Sequence, residues 1–93
     1  MNRAVIRRRI LFYGRVQGVG FRYHARYAAE GLRLTGWVRN EEDGTVTMEV
    51  QGDEVSIDRM LQILQQDRYI DIVDMDIKNL VTQEDERSFE VKY

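Results

Sequence analysis

Five segments of the chain alternate between hydrophobic and polar residues with a period of two, which is the pattern of β-strands that bury one face. Arg8 interrupts the hydrophobic face of the first segment and needs solvent or a partner such as Asp74. The polar stretch 40–44 lies between the second and third segments and predicts a hairpin turn. The fourth segment changes phase, so we expect a bend before a strand that begins near Val73. The segments are 5–13, 34–40, 45–51, 73–77 and 89–93.

Two other segments repeat hydrophobic residues at helical spacing. The first follows a glycine-rich loop, and Gly31 is expected to end it. The second begins after Asp53, which can cap a helix, and closes near Gln66. The predicted buried stripes are Phe21, Ala25, Ala28, Ala29 and Leu32 in the first helix, and Ile57, Met60, Leu61 and Leu64 in the second.

The predicted order of elements is β-α-β-β-α-β with one short extra strand at the C-terminal end. Right-handed crossovers then favour a mostly antiparallel sheet with both helices on one face, which is a ferredoxin-like α+β sandwich. A chain of 93 residues is expected to form one domain, residues 1–93. Because enzymes, regulatory modules and RNA-binding domains share this fold, the function has to be argued from a site.

Composition excludes several kinds of chemistry. The chain has no cysteine and a single histidine, His24, which leaves no thiolate nucleophile and no multi-histidine metal site. Residues 1–40 contain nine arginines and one acid, whereas residues 41–93 contain five bases and fifteen acids. The basic half suits a small anion, a nucleic acid or its own acidic half. The basic segment 1–12 lacks a long apolar run, so we expect a cytoplasmic protein without a membrane segment.

The loop GRVQGVGFR, residues 14–22, lies between the first predicted strand and the first predicted helix. Glycines there let backbone N–H groups turn toward an anion, and the helix dipole adds attraction for negative charge. Arg22 can close over a phosphate with a bidentate guanidinium group. A tight turn with a solvated arginine is the alternative interpretation of the same residues.

Asn40 ends the second predicted strand and follows Gly36 and Val38 on its inward face. Its uncharged amide can position a water molecule, or it can cap the hairpin turn. Near the loop no carboxylate is placed as an obvious general base, and His24 is the only conceivable nucleophile. A site of amides, one arginine and one asparagine suits a leaving group that departs as a carboxylate, as in a mixed carboxylic–phosphoric anhydride.

Two motifs make the sequence similar to the acylphosphatase family: GRVQGVGFR at 14–22, and GWVRN at 36–40 followed by DGTV. The resemblance covers almost the whole chain, including the ending FEVKY. It implies hydrolysis of acyl phosphates to a carboxylate and inorganic phosphate, without a metal, a cofactor or a phosphoenzyme. Many members of that family have a Gly-Pro turn after the second helix, whereas this chain has QQDRYI at 65–70.

The resemblance also implies roles for individual residues. The arginine that closes the loop motif binds the phosphoryl group and corresponds to Arg22. The asparagine that ends the tryptophan motif orients the attacking water and corresponds to Asn40, while the substrate's own phosphate accepts the proton. The loop amides would hold the phosphate oxygens, and the residues concerned are Val16, Gln17, Gly18, Val19, Gly20 and Phe21.

Two other functions could use the same features. One is a non-catalytic module that binds phosphate or carbamoyl phosphate at the same loop. The other is an RNA-binding domain, although the third predicted strand lacks the aromatic residues of RNA-recognition sheets. We expect a monomeric enzyme that acts on small acyl phosphates and binds no nucleic acid. We also expect a structural role for His24, and a solvent-facing acidic pair rather than a Mg²⁺ site at Asp74 and Asp76.

Overall fold

The computed structural model of the chain describes residues 4–93, so residues 1–3 of the basic N-terminal segment lie outside the described residues. The described part forms five strands and two helices, in the predicted order. The strands are β1 (Val5–Arg15), β2 (Thr35–Asn40), β3 (Val46–Asp53), β4 (Asp71–Leu80) and β5 (Phe89–Lys92). The helices are α1 (Phe21–Gly31) and α2 (Glu54–Gln66).

The strands form one sheet in the order β4-β1-β3-β2-β5. The pairs β1–β3, β1–β4 and β2–β3 are antiparallel, and only β5 runs parallel to its neighbour β2. Buried residues of both helices and of the sheet's inner face belong to one core cluster, which places the two helices on the same side. This confirms the predicted ferredoxin-like fold with an additional C-terminal strand.

The hydrophobic core follows the predicted stripes. Ile10 and Phe12 of β1 pair with Met48 and Val46 of β3, and all four side chains are fully buried beneath the helices. The Phe12 ring packs against the Phe21 ring with 4.8 Å between centroids, which anchors the start of α1 to the sheet. The helical residues that complete the core are Ala25, Ala28, Ala29, Ile57, Met60, Leu61 and Leu64.

The phase change in the fourth strand is a β-bulge. Strand β4 begins at Asp71, two residues before the predicted start, and its pairing with β1 shifts between Tyr13 and Gly14 so that Val73 is the extra residue. Gly14 has a φ of 123°, and a Cβ atom there would lie 2.2 Å from the Asp71 carbonyl oxygen. The close approach of two strands at the bulge therefore requires glycine at this position.

Of the two helix caps that the sequence predicted, the structure contains one. Asp53 caps α2 as predicted, because its carboxylate accepts a hydrogen bond from the Ser56 amide. Helix α1 includes Gly31 as its last residue, and the left-handed residue that ends the turn is Arg33, with a φ of 59°. The prediction that Gly31 provides the end cap was therefore wrong.

Two arginines of β1 lie in environments that the alternating pattern did not predict. Arg8 contacts Asp58 at 3.1 Å and also Glu54, both at the beginning of α2, so the suggested partner Asp74 was wrong. Arg7 belongs to the face of β1 opposite Ile10 and Phe12, which the alternating pattern leaves open to solvent, yet only 1% of it is exposed. Its guanidinium group lies between Glu49 of β3 and Glu86 of the β4–β5 connection.

Candidate active site

The loop between β1 and α1, residues 16–20, turns the chain from an inner strand into the first helix. Gly18 and Gly20 have φ values of 74° and 78°, in the left-handed region that residues with a Cβ atom adopt at a cost. No atom lies within 4 Å of the Cβ position at Gly18. The backbone conformation, rather than a lack of space, therefore favours glycine at Gly18.

The backbone amides of this loop are available to a ligand. In the turns, loops and caps of residues 4–93, no amide from Gln17 to Phe21 donates a hydrogen bond to another backbone group. The first turn of α1 contains no acidic residue, and its N-cap, Gly20, provides no side-chain cap. Unpaired N–H groups and the positive end of the helix dipole thus occur together in one turn between β1 and α1, which suits an anion.

The side chain of Gln17 fixes this loop to the β2–β3 hairpin. Its Nε2 donates hydrogen bonds to the carbonyl oxygens of Glu41, at 2.7 Å, and Thr45, at 2.8 Å. Sequence reasoning included Gln17 only for its backbone amide and missed this bridge. The contact joins residues more than twenty positions apart, and no periodicity in the chain signals it.

Arg22 lies in the first turn of α1 and reaches the end of the C-terminal strand. Its Nη1 donates a hydrogen bond to the Lys92 carbonyl oxygen at 3.1 Å, and its guanidinium carbon lies 4.8 Å from the centre of the Tyr93 ring. Neither partner carries a negative charge under Arg22, so the guanidinium group is positioned but not neutralised. The motif predicted Arg22, but nothing in the sequence predicted its contact with Lys92 and Tyr93.

Asn40 ends β2 on the helix-covered face, opposite Val46 of β3. Its Oδ1 is buried and, among the described residues, has no hydrogen-bond partner. Leaving such an acceptor unpaired costs about 1–3 kcal/mol, and buried polar atoms without a protein partner commonly bind water or a ligand. Asn40 therefore presents a free acceptor inside the protein.

The hairpin turn does not need Asn40 as a cap. The turn is closed by a hydrogen bond from the Glu41 amide to the Thr45 carbonyl oxygen, at 2.9 Å. Asp43 supplies the side-chain contact, since its Oδ1 accepts from the Thr45 amide at 3.0 Å and from the Thr45 hydroxyl at 2.6 Å. The turn-capping interpretation of Asn40 is therefore not what this structure shows, because Asp43 takes that role.

These residues surround one small cavity of about 120 Å³. A cavity of that size corresponds to about four water molecules at the roughly 30 Å³ each occupies in the liquid, which is room for a phosphoryl group but not for a long substituent. Among the predicted site residues, Gln17 and Val19 do not line it; Val19 packs against the core instead. The residues that line it are Val16, Gly18, Gly20, Phe21, Arg22, Tyr23 and Asn40.

Tyr23, which lines this cavity, contacts Tyr93, which directly follows the chain's last strand. The hydroxyl groups of Tyr23 and Tyr93 share a short hydrogen bond, and the bond to Tyr23 raises the pKa of Tyr93 above its ordinary value. Neutral Tyr93 therefore remains under the Arg22 guanidinium group at physiological pH. No acidic side chain lines the cavity in the described part of the chain, so its only formal charge is that of Arg22.

His24 connects the loop to the end of α2. Its Nδ1 lies 2.9 Å from the Asp67 carboxylate, and its ring lies 3.3 Å from the Cβ position at Gly20. This contact agrees with the predicted structural role, although the sequence did not identify Asp67 as the partner.

In residues 4–93, no group of three or more His, Cys, Asp or Glu side chains is arranged to hold a metal ion. Neither helix in this part of the chain is long and apolar enough to span a membrane.

Comparison with known proteins gives consistent matches. A family model described as acylphosphatase matches residues 8–91 of this chain. A protein named acylphosphatase from Oceanobacillus iheyensis is 42% identical over 82 residues, which cover 86% of this chain and 90% of that protein. Another from Clostridium perfringens is 43% identical over 86 residues, covering 91% and 97% of the two chains.

A solved structure agrees with these sequence matches. The crystal structure of acylphosphatase from Bacillus subtilis superimposes with a TM-score of 0.86 at 30% identity, and the alignment covers 95% of this chain and 99% of that one. The glycine-rich loop and the strand that ends at Asn40 both lie inside the range matched by the family model.

Proposed function

This chain belongs to the acylphosphatase family and is an acylphosphatase, and from that premise we propose how its residues carry out the hydrolysis. The observation that carries the proposal is a small cavity lined by an arginine without an ion pair, by loop residues whose amides have no backbone partner, and by Asn40, whose buried Oδ1 is unpaired among the described residues. The three features suit, respectively, the charge, the oxygens and the water of a phosphoryl hydrolysis.

Binding of the phosphoryl group is assigned to Arg22 and the loop. The loop amides supply donors in fixed directions, because the left-handed conformations of Gly18 and Gly20 preset them. Arg22 supplies a permanent charge whose direction is set by the Lys92 carbonyl and the Tyr93 ring. Since these groups are ordered before the substrate arrives, they stabilise the charge that develops on the phosphoryl oxygens without reorganisation.

Positioning of the attacking water is assigned to Asn40. Its buried Oδ1 is free to accept a hydrogen bond from a water molecule, and Gln17 holds the hairpin that follows Asn40 against the phosphate loop. The water is thereby kept at a constant place relative to the phosphorus atom. Holding a reactant in this way replaces an entropically costly encounter by a nearly unimolecular step.

The reaction needs no side chain that transfers a proton. Water attacks phosphorus while the bond between phosphorus and the acyl oxygen breaks, and the electron pair of that bond leaves on the carboxylate. The proton of the water moves to a phosphoryl oxygen, so the products are a carboxylate and inorganic phosphate. A carboxylate is stable unprotonated at neutral pH, which is consistent with a cavity that has no acidic lining residue.

We also propose the domain organisation, the cellular location and the binding partners of the enzyme. Residues 1–93 act as one domain, in the cytoplasm, as a monomer that uses no metal or cofactor and binds no nucleic acid. The match of the family model over residues 8–91 supports a single unit. The polar residues that β3 directs to the open face, among them Thr47, Glu49 and Gln51, supply no aromatic surface on which a base could stack.

The test is hydrolysis of acetyl phosphate by the parent protein, Arg22→Ala and Asn40→Ala, with a chelator present. We expect the parent to turn over and each variant to lose about 10²- to 10³-fold in kcat/KM. Phosphate binding, measured by calorimetry, separates the two roles: Arg22→Ala loses it, whereas Asn40→Ala retains it. The matched controls are Arg59→Ala on α2 and Asn79→Ala on β4, which lie outside the cavity.

Three outcomes would contradict the assignment. Undiminished turnover by Asn40→Ala would remove the water-positioning role. Loss of parent activity on chelation would show that a metal takes part. A folded parent that binds phosphate through Arg22 without hydrolysing acetyl phosphate would instead be an anion-binding module.

A further inference from the structure

A second concavity, with a volume of about 740 Å³, lies along the solvent side of α1 and is bounded on the far side by α2. Its lining includes Tyr23, His24, Tyr27, Ala28 and Leu32 of the α1 region and Ile63 of α2. Tyr27 is 82% exposed and Ile63 is 36% exposed, so large apolar side chains face solvent around this groove. Concave apolar surfaces of this kind bind apolar ligands.

The groove and the catalytic cavity meet at Tyr23, which lines both of them. The position of its side chain is fixed by the hydrogen bond to Tyr93. A substituent that extends from the catalytic cavity past Tyr23 would thus lie against a lining residue of the apolar groove.

The size of the catalytic cavity forces part of the substrate to leave it. About 120 Å³ is room for the phosphoryl group but not for a long substituent, so a longer acyl chain extends beyond the cavity. In-line attack places the leaving acyl group on the side of phosphorus away from the water. Because Asn40 Oδ1 is buried and Tyr23 is 46% exposed, the leaving acyl group is assigned to the Tyr23 side of the cavity.

We propose that the groove between α1 and α2, beginning at Tyr23, binds the acyl chain of the substrate and makes the enzyme selective for acyl phosphates with uncharged apolar chains. This inference rests on the proposed function of the adjoining cavity. The guanidinium groups of Arg22 and Arg26 lie 6.0 and 5.5 Å from the centre of the Tyr23 ring, at the end of the groove next to the catalytic cavity. Beyond Tyr23, the only lining group that can carry a positive charge is the His24 imidazole, which is paired with Asp67, so that part of the groove favours an uncharged chain.

The test is a homologous series of substrates, acetyl, butyryl and hexanoyl phosphate, measured with the parent enzyme. The three leaving carboxylates have nearly equal basicity, so differences in kcat/KM report contacts of the chain rather than leaving-group chemistry. We expect kcat/KM to rise by about ten-fold or more from acetyl to hexanoyl, mainly through KM. Full burial would give about four-fold per methylene, and an open groove gives less.

Two variants locate the effect. Tyr27→Ala and Ile63→Gln each change a side chain of the groove, and we expect both to reduce the hexanoyl-to-acetyl ratio of kcat/KM toward one. Tyr69→Ala is the matched control, because Tyr69 is 63% exposed and lies outside the groove. As a readout that needs no turnover, hexylphosphonate should inhibit the parent more strongly than methylphosphonate, and Tyr27→Ala should remove that difference.

The possible results separate this inference from the function on which it rests. Hydrolysis of all three substrates with equal kcat/KM, or an unchanged ratio in both groove variants, overturns the acyl groove and leaves the catalytic assignment intact. A parent that hydrolyses none of the three overturns the proposed function and the groove together. A chain-length preference lost in Tyr27→Ala and Ile63→Gln, but kept in Tyr69→Ala, supports the groove.

Discussion

Arg7 and Arg22 are both held in place by the fold, but in opposite electrostatic environments. The Arg7 side chain is completely buried and lies 2.9 Å from a Glu49 oxygen and 2.8 Å from a Glu86 oxygen. Arg22 contacts a backbone carbonyl oxygen and the rings of Tyr23 and Tyr93, and within the described residues it forms no ion pair. The charge of Arg7 is therefore balanced by the protein, whereas that of Arg22 is left for an anion.

This difference shows how one residue type serves two purposes. Two carboxylates hold Arg7 between β3 and the β4–β5 connection, which joins distant parts of the chain. Neutral partners fix the direction of Arg22 while preserving its attraction for a phosphoryl group. Arg7 is buried and Arg22 is half-buried, but the charge of their partners decides which guanidinium group can still bind an anion.

The largest effect that tests this comparison is expected at Arg7. Arg7→Ala should lower the free energy of unfolding by about 3 kcal/mol, because it leaves two partly buried carboxylates without their cation. Arg22→Ala should change it by less than about 0.5 kcal/mol, although it lowers kcat/KM by about 10²- to 10³-fold. Urea unfolding measures both, with Arg9→Ala, an exposed residue of the same strand, as control. Equal destabilisation by the Arg7 and Arg22 substitutions would contradict the distinction.

A smaller effect is expected at Gln17, whose two hydrogen bonds join the phosphate loop to the β2–β3 hairpin. Gln17→Ala should lower the free energy of unfolding by about 1–2 kcal/mol. It should also lower kcat by about 10- to 100-fold, because the hairpin beside Asn40 and the phosphate loop are no longer fixed to one another. Steady-state kinetics and urea unfolding measure the two effects, and Gln65→Ala on the exposed side of α2 is the control. Unchanged kcat would show that the bridge serves stability alone.

The smallest effect concerns the hairpin turn and is visible only in acid. The Thr45 hydroxyl and amide donate hydrogen bonds to the Asp43 carboxylate and thereby lower its pKa from the ordinary value of 3.8. A lowered folded-state pKa contributes stability that is present above about pH 4 and is lost as the pH falls through the lowered value. Asp43→Asn should therefore flatten the acid side of the plot of unfolding free energy against pH. An acid limb identical to that of the parent would argue against a stabilising carboxylate at this turn.

Much of the fold could be predicted because neighbouring residues encode it. The alternating patterns located all five strands, and the helical stripes located both core-facing helix surfaces. The β-bulge was visible only as a change of phase, since the pattern cannot say which strand carries the extra residue. The start of β4 at Asp71 depends on the register with β1, and that register is a contact between residues about sixty positions apart.

Part of the candidate site could also be predicted, because some of its residues are neighbours in the sequence. Arg22, Asn40 and the loop glycines stand in two short motifs, so the sequence identifies them directly. The Gln17 bridge, the His24–Asp67 pair and the support of Arg22 by the C-terminal strand are contacts between residues distant in sequence. Such contacts depend on which strands become neighbours in the sheet, and a short stretch of sequence does not determine the order of the strands.

The sequence by itself thus determined the elements, the family and the chemical types of the site residues, because each depends on residues within a few positions of one another. The tertiary structure alone decided which of the four arginines of β1 is buried, which groups surround Arg22, and that Tyr23 lines both the catalytic cavity and an apolar groove. The placement of β5 beside β2, for example, brings Lys92 and Tyr93 to Arg22 across seventy residues of chain. Free energy of packing over the whole sheet fixes that placement, and no single segment contains it.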